Sequence, residues 1–127
     1  KMKLYCGTDI IEIERIKKAI EEETGDAFID RIFTSKEIEY CESKKKQKYQ
    51  HYAARFAGKE AIFKAISKGL KSKYEIEWKQ MEITNDIEGR PVVNVLHSVS
   101  SKIEDIDLSI SHCKDYAIAS VIVSLNI

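Results

Sequence analysis

The acid Glu60 occupies a position that an ordinary amphipathic helix fills with an apolar residue. Apolar side chains recur through this stretch in steps of three or four, a spacing that predicts one face of a helix. The members of this stripe are Tyr49, Tyr52, Phe56, Phe63, Ile66 and Leu70. Glu60 fills the one missing position. A glutamate that faces a core needs a cation, a metal ion or a proton to offset its desolvation, so Glu60 is a candidate functional group.

Three cations accompany this acid. Lys64 lies four residues later, about 40° around the helix, and shares the face of Glu60. An exposed Glu–Lys pair at this spacing is common and contributes only about 0.3–0.5 kcal/mol. Along the stripe, however, Glu60 lies between Phe56 and Phe63, and an exposed pair does not require aromatic neighbours. Arg55 and Lys59 lie on other faces, and spare cations beside such an acid suit phosphate binding with a divalent ion.

Two further polar side chains lie in predicted strands. Asp9 lies at the edge of a strand enclosed by apolar residues, where an aspartate alone is more often a turn or cap residue. His112 shares a strand face with Leu108 and Ile110. A histidine there is usually a core or edge residue, and it equally suits contact with a ligand phosphate or a neighbouring subunit. Its neighbour Cys113 points to the opposite face, which excludes a His–Cys dyad.

The elements that must position these groups are helices first and antiparallel strands later, which indicates an α+β fold. We expect one long central helix, about 46–68, packed on antiparallel strands in a single domain over residues 1–127. Before it come a short strand broken or bent at Gly7, a helix closed near Gly25, and a short helix started by a Thr34–Glu37 capping box. After it, we expect hairpin strands at 78–84, 91–96, 107–112 and 116–125.

Composition excludes several classes of protein. Lys and Arg together number 21, as do Asp and Glu, so the net charge is zero and no global field favours nucleic acid or a membrane surface. Cys6, Cys41 and Cys113 are odd in number and lack C-x-x-C spacing, which is typical of reduced thiols in a cytoplasmic protein. No apolar run approaches the roughly 18 residues of a membrane span.

Four segments carry a family resemblance. Residues 7–15 fit G-x-D-I-x-x-I-x-R, residues 55–65 fit R-F-A-x-K-E-A-x-x-K-A, and residues 109–117 fit S-I-S-H-x-x-x-Y-A. Residues 89–91 fit a G-[KR]-P turn. In order, spacing and total length the chain resembles the holo-acyl-carrier-protein synthases, the small group of 4′-phosphopantetheinyl transferases. The resemblance spans nearly the whole chain.

The resemblance implies a reaction and a metal. The family transfers phosphopantetheine from coenzyme A to a serine of apo acyl carrier protein, in fatty acid biosynthesis, and releases adenosine 3′,5′-bisphosphate. Its Mg²⁺ is held by the acids that correspond to Asp9 and Glu60 and by the coenzyme A pyrophosphate. Attack on a pyrophosphate needs charge neutralisation and deprotonation of the serine, which suits two carboxylates on a hard cation. We expect Glu60 to be the base, directly or through a metal-bound water, and Lys64 to stabilise charge on the phosphates or the leaving group.

The resemblance also assigns binding residues and partners. Arg55 and His112 match positions that contact coenzyme A at its 3′-phosphate, and Arg15 matches the arginine that meets the carrier protein. The family forms homotrimers with active sites between subunits. This chain departs from the family at Gly58, where alanine is usual, at Cys113, where threonine is common, and at the acidic run 21–23, where several relatives are basic.

Two other interpretations stay open on the sequence. A non-catalytic module that binds coenzyme A or a carrier protein would keep the basic groups but would not need the pair of Asp9 and Glu60. In a purely structural domain, Glu60 and Lys64 would pair across a subunit contact.

Overall fold

The computed structural model describes residues 1–127 and contains four α-helices and five strands. The helices are α1 (Ile13–Glu21), α2 (Gly25–Ile32), α3 (Ser35–Glu42) and α4 (Lys48–Ile66). The strands are β1 (Met2–Glu12), β2 (Met81–Asn85), β3 (Pro91–Val95), β4 (Ile103–His112) and β5 (Tyr116–Asn126). The predicted α+β fold with a long helix and antiparallel strands is confirmed. None of the helices combines the length and the apolar composition that a bilayer-spanning segment needs.

The strands form two antiparallel sheets. The larger has the order β1-β5-β4, so the last strand of the chain lies in the middle, and β2 pairs with β3 in a separate hairpin. Along β5, buried and exposed residues alternate, as expected when one face of a sheet covers a core. The buried members are Ala117, Ala119, Val121, Val123 and Leu125. The predicted apolar face of this strand is therefore confirmed.

Helix α4 lies across the β1-β5-β4 sheet and is enclosed on several sides. Its 19 residues span about 28 Å. The predicted apolar stripe describes its core face only in part, because Tyr52 and Ile66 are buried whereas Tyr49, Phe56 and Phe63 are only half-buried. The fully enclosed positions are mostly small, which lets neighbouring backbones approach. They include Ala53, Ala54, Ala57, Gly58, Ala61 and Ala65.

Strand β1 runs unbroken through Gly7, so the predicted break or bend there is wrong. The glycine serves a different purpose, because α4 crosses the strand at this point. A Cβ built on Gly7 would overlap the carbonyl oxygen of Ala61 and lie 2.9 Å from the amide nitrogen of Ala65. Only glycine permits this approach of helix to strand.

The first half of the chain differs from prediction at one helix. Gly25 begins α2 instead of closing α1, and the extra helix follows after only three intervening residues. The Thr34–Glu37 capping box is present at the start of α3, as predicted, with each side chain bonded to the backbone of the other. Glu37 is also buried, which the sequence pattern did not indicate.

Candidate active site

The crossing of β1 and α4 brings Asp9 and Lys64 together. Lys64 follows the helical turn that rests on Gly7, and its Nζ lies 2.9 Å from the Thr8 carbonyl oxygen and 3.4 Å from Asp9 Oδ1. Asp9 faces the same side of the sheet as its cross-strand partner Ala119, which is buried. The aspartate therefore projects toward α4 and is not a turn residue.

Glu60 lies one helical turn before Lys64 and is half-buried. Burial raises the pKa of its carboxyl, the negative charge of Asp9 raises this pKa further, and Lys64 partly opposes both effects. Two carboxylates thus interact electrostatically while only one ammonium lies close enough to offset them. The prediction that these three groups share a site agrees with their placement, although Glu60 faces a cleft and not the core.

The acid pair fits a hard divalent cation. A cation between the carboxylates would relieve the mutual repulsion that raises the pKa of Glu60, and oxygen donors are the ligands that Mg²⁺ prefers. No group of three or more His, Cys, Asp or Glu side chains converges in the structure. The protein would therefore supply only part of the coordination shell, and the remaining ligands would be water or substrate oxygens.

A mostly apolar cleft of about 340 Å³ opens beside Glu60. Its lining comes from α4 and from the segment that leads into β2. The lining residues are Glu60, Phe63, Lys73, Tyr74, Ile76, Trp78 and Met81. Mostly apolar walls beside an acid and a lysine are typical of a site that binds an organic substrate and perturbs the proton affinity of its acid.

Lys59 is not a spare cation for phosphate, so that part of the sequence interpretation is wrong. Its side chain has no exposed surface, and its Nζ lies 2.8 Å from Glu37 Oε1. The ammonium also donates to two backbone carbonyls, of Trp78 and Met81. All three donors of this lysine are therefore used inside the protein.

Arg55 lies in a second cluster, on another side of α4. It lies five positions before Glu60, which corresponds to about 140° around the helix axis. Its guanidinium is buried, donates to the side-chain oxygen of Asn85, and lies 4.2 Å from the centre of the Tyr40 ring. The buried Nε has no partner within the protein. An unsatisfied buried donor of this kind is typical of a position that a ligand completes.

His112 belongs to the same cluster, through His51. The two rings lie 6.2 Å apart, and His51 also contacts Tyr40. Burial, followed by the neighbouring Arg55, Lys44 and His112, lowers the pKa of His51 to about 4. Two permanent cations, Arg55 and Lys44, thus lie near His51, and local positive charge of this kind suits the binding of an anion.

The sequence-predicted residues therefore fall into two groups and one outlier. Asp9, Glu60 and Lys64 form the acid cluster, whereas Arg55 and His112 form the basic cluster. Arg15 lies exposed on α1 and takes part in no ion pair. The sequence analysis missed His51, Tyr40 and Asn85, and only one signal pointed to any of them: His51 is one helical turn before Arg55.

Comparison with known proteins gives one consistent answer. Residues 5–121 match the family model described as the 4′-phosphopantetheinyl transferase superfamily. A holo-[acyl-carrier-protein] synthase of Ruminiclostridium cellulolyticum is 43% identical, over 98% of this chain and 94% of the relative. The corresponding protein of a Thermoanaerobacter species is 44% identical, over 95% of this chain and 87% of the relative.

Solved structures agree with the sequence relatives. The holo-(acyl-carrier-protein) synthase of Bacillus anthracis in complex with CoA (3′,5′-ADP) has a TM-score of 0.80 at 33% identity, covering 99% of this chain and 100% of that one. The Helicobacter pylori protein in complex with coenzyme A also has a TM-score of 0.80, at 30% identity, covering 93% and 98% of the two chains.

Proposed function

This chain belongs to the 4′-phosphopantetheinyl transferase superfamily, and we propose that its reaction takes place at the cluster of Asp9, Glu60 and Lys64. The reaction is transfer of 4′-phosphopantetheine from coenzyme A to a serine of apo acyl carrier protein, which leaves adenosine 3′,5′-bisphosphate. The single observation that carries the assignment of the site is the contact of Asp9 with Lys64, one helical turn from Glu60 and beside the apolar cleft.

In this proposal, Asp9 and Glu60 would hold Mg²⁺, which would neutralise charge on the coenzyme A pyrophosphate when bound. Glu60 accepts the proton of the serine hydroxyl as the serine oxygen attacks the phosphorus. Without a cation, burial and the charge of Asp9 raise the pKa of Glu60, and a bound cation would lower it again, so the role as base rests on the position of Glu60 at the cleft. Lys64 already lies at the acid pair and stabilises negative charge on the phosphates as the bond to the leaving group breaks.

The basic cluster binds the 3′-phosphate of coenzyme A in the same proposal. The unpartnered Nε of buried Arg55 and the charge around His51 support this role, and His112 completes the cluster. Arg15 on α1 contacts the acidic carrier protein from its exposed position.

The activity is tested directly by mass spectrometry. Apo carrier protein incubated with this chain, coenzyme A and Mg²⁺ gains the mass of one phosphopantetheine on its serine, and chelation of the metal abolishes the gain. A non-catalytic module that only binds coenzyme A would leave the carrier mass unchanged under every metal and pH. Its calorimetric affinity for coenzyme A would also not depend on Mg²⁺.

Arg55 offers a prediction that separates the phosphate role from a structural one. The Arg55→Met variant is expected to bind coenzyme A about 10- to 150-fold more weakly, because a charge-assisted hydrogen bond is lost. Its affinity for dephospho-coenzyme A should equal that of the wild type, because that ligand lacks the 3′-phosphate. Titration calorimetry with both ligands measures the difference. An equal loss for both ligands would contradict the phosphate role.

A homotrimer would unite the two clusters. The outer face of the β1-β5-β4 sheet exposes an apolar patch of the kind that marks a protein interface. Its members are Met2, Leu4, Ile10, Tyr116, Ile118 and Ile122. Ile10 and Ile118 pair directly across the strands. We infer that this patch packs against further copies, and that the acid cluster of one subunit faces the basic cluster of the next.

Mixing two inactive variants tests this arrangement. In a trimer with shared sites, Glu60→Gln subunits still supply an intact basic cluster, and Arg55→Met subunits supply an intact acid cluster. If subunits exchange, the two variants can be mixed without unfolding them. Random association in an equal mixture places an intact acid cluster beside an intact basic cluster at about a quarter of the sites, so up to about a quarter of wild-type activity is expected to return. Activity is measured at coenzyme A concentrations too low for Arg55→Met alone. No recovery in co-expressed, co-purified trimers would place both clusters of one site in the same subunit.

A further inference from the structure

Lys59 and Glu37 form a buried ion pair that the proposed chemistry does not use. The Nζ–Oε1 distance is 2.8 Å, and neither side chain has exposed surface. Burial lowers the pKa of Lys59, an effect that the adjacent Glu37 carboxylate opposes. Glu37 in turn accepts hydrogen bonds from the backbone amides of Thr34 and Ile83. The pair is thus fully hydrogen-bonded and ties α3 and β2 to α4.

The same ammonium holds a turn of the chain that borders the cleft. Lys59 Nζ donates to the carbonyl oxygens of Trp78 at 3.0 Å and Met81 at 2.8 Å. These two carbonyls bracket the short helical turn at Trp78–Gln80, which reciprocal bonds between Glu77 and Gln80 close at its start. One side chain therefore fixes both ends of this turn to the middle of α4.

Trp78 and Met81, the two residues held in this way, are also walls of the cleft beside Glu60. The Trp78 ring stacks on Phe56 at a centroid distance of 5.1 Å, so its ring and its carbonyl are both anchored to α4. Lys59 and Glu60 are adjacent residues, about 100° apart around the helix. A single helical turn thus carries both the acid and the side chain that sets the position of the opposite wall.

We propose that Lys59 is a positioning residue, which holds the Trp78–Met81 wall at the distance from Glu60 that the transfer reaction requires. The turnover part of this proposal rests on the proposed function, whereas the placement of the wall does not. Arg55 lies one helical turn before Lys59, but its bond to Asn85 and its contact with Tyr40 do not involve Lys59 or Glu37, so the basic cluster should be kept when the wall moves. The loss should therefore appear in kcat and not in the KM for coenzyme A.

Three variants separate positioning from simple stability: Glu37→Gln, Lys59→Met, and the double variant. Glu37→Gln loses the buried partner charge but keeps the bonds from Lys59 to both carbonyls, so it is the matched control for lost stability. Lys59→Met removes the carbonyl bonds but leaves a buried carboxylate alone, which puts its folding at risk. The double variant removes both charges and is expected to fold.

Trp78 is the only tryptophan, so its fluorescence reports on the wall alone. In the double variant we expect a red-shifted emission and stronger acrylamide quenching than in Glu37→Gln, at a temperature where circular dichroism finds both folded. We expect kcat to fall about 10- to 100-fold in the double variant, because a displacement of reacting groups by about 1 Å can lower a rate by up to about a hundredfold. The KM for coenzyme A should be unchanged. Glu37→Gln should keep wild-type emission and kcat.

Two results would overturn the proposal. Wild-type emission and kcat in the double variant would show that Lys59 contributes to stability alone. Equal changes in Glu37→Gln and the double variant would show that the ion pair, not the carbonyl bonds, is what matters. If the wild type itself shows no transfer, the proposed function fails, and the emission comparison still decides whether Lys59 holds the wall.

Discussion

Replacing Glu60 by glutamine is expected to lower kcat by about a hundredfold to ten-thousandfold, the range that removal of a general base produces. Glutamine has nearly the same shape but cannot accept the serine proton and carries no charge for a metal ion. The measurement is the initial rate of mass gain on apo carrier protein at saturating coenzyme A and Mg²⁺. Asp9→Asn is expected to lose Mg²⁺ dependence together with turnover, since it removes the other carboxylate of the pair.

Glu60→Gln should lower turnover without lowering the stability of the fold. These opposite expectations for activity and stability are the sharper part of the prediction. The pKa of Glu60 is raised above its ordinary value of 4.5 in the folded protein, so the folded state binds more protons than the unfolded state. Ionised Glu60 therefore destabilises the wild type as the pH rises from 4.5 through the raised pKa. Glu60→Gln lacks this loss and should unfold at an equal or higher denaturant concentration at pH 7.

Glu39→Gln is the matched control, because it changes an exposed helical glutamate outside both clusters. It should leave turnover and the pH dependence of unfolding unchanged. Turnover that survives in Glu60→Gln and in Asp9→Asn would remove both acids from the mechanism. A Glu60→Gln protein that is inactive because it unfolds would instead support the structural interpretation, in which Glu60 serves only a pairing role.

Replacing Gly7 by alanine is expected to destabilise the protein strongly. The new Cβ would overlap the Ala61 carbonyl oxygen, and it would lie 3.0 Å from Lys64 Cβ. Because the obstacle is helix backbone, α4 must shift away from β1. We expect a loss of about 3 kcal/mol or more, the upper end of overpacking costs, and a melting temperature lower by about 10 °C. Differential scanning calorimetry measures both.

Turnover in Gly7→Ala should fall further than stability alone explains, because the shift separates Lys64 from Asp9. Gly58→Ala is the matched control on the same helix. Its added methyl meets the Cδ1 of Ile83, the flexible end of a side chain. Better helix propensity, worth up to about 1 kcal/mol, partly offsets that crowding. A Gly7→Ala protein as stable and active as Gly58→Ala would refute the importance of the close crossing.

Local patterns in the sequence predicted much of this architecture. The long run of helix-forming residues, the capping box at Thr34 and the alternation in β5 each follow from interactions within a few residues. The two ends of α4 were expected about two residues beyond their positions in the structure, where short helical turns of tighter pitch continue the chain.

Local patterns gave wrong predictions at positions whose roles depend on contacts with residues distant in sequence. Gly7 was interpreted as a strand breaker, because nothing in its neighbourhood reveals that a helix 54 residues away crosses it. Lys59 was interpreted as a spare cation because its partner Glu37 lies in another helix. The acid pair of Asp9 and Glu60 was proposed through the family motifs, since periodicity alone left Asp9 as a turn residue.

The central position of β5 has a consequence for how the chain acquires its structure. This strand is the last in sequence, yet it pairs with β1 from Met2↔Asn126 to Glu12↔Tyr116 and with β4 on its other edge. Helix α4 rests on the surface that these strands complete. During synthesis, β1 and the apolar side of α4 must therefore wait until β5, Tyr116–Asn126, has left the ribosome. Pairing across such sequence separations is slow, so the nascent chain depends on late closure or on chaperones to avoid aggregation.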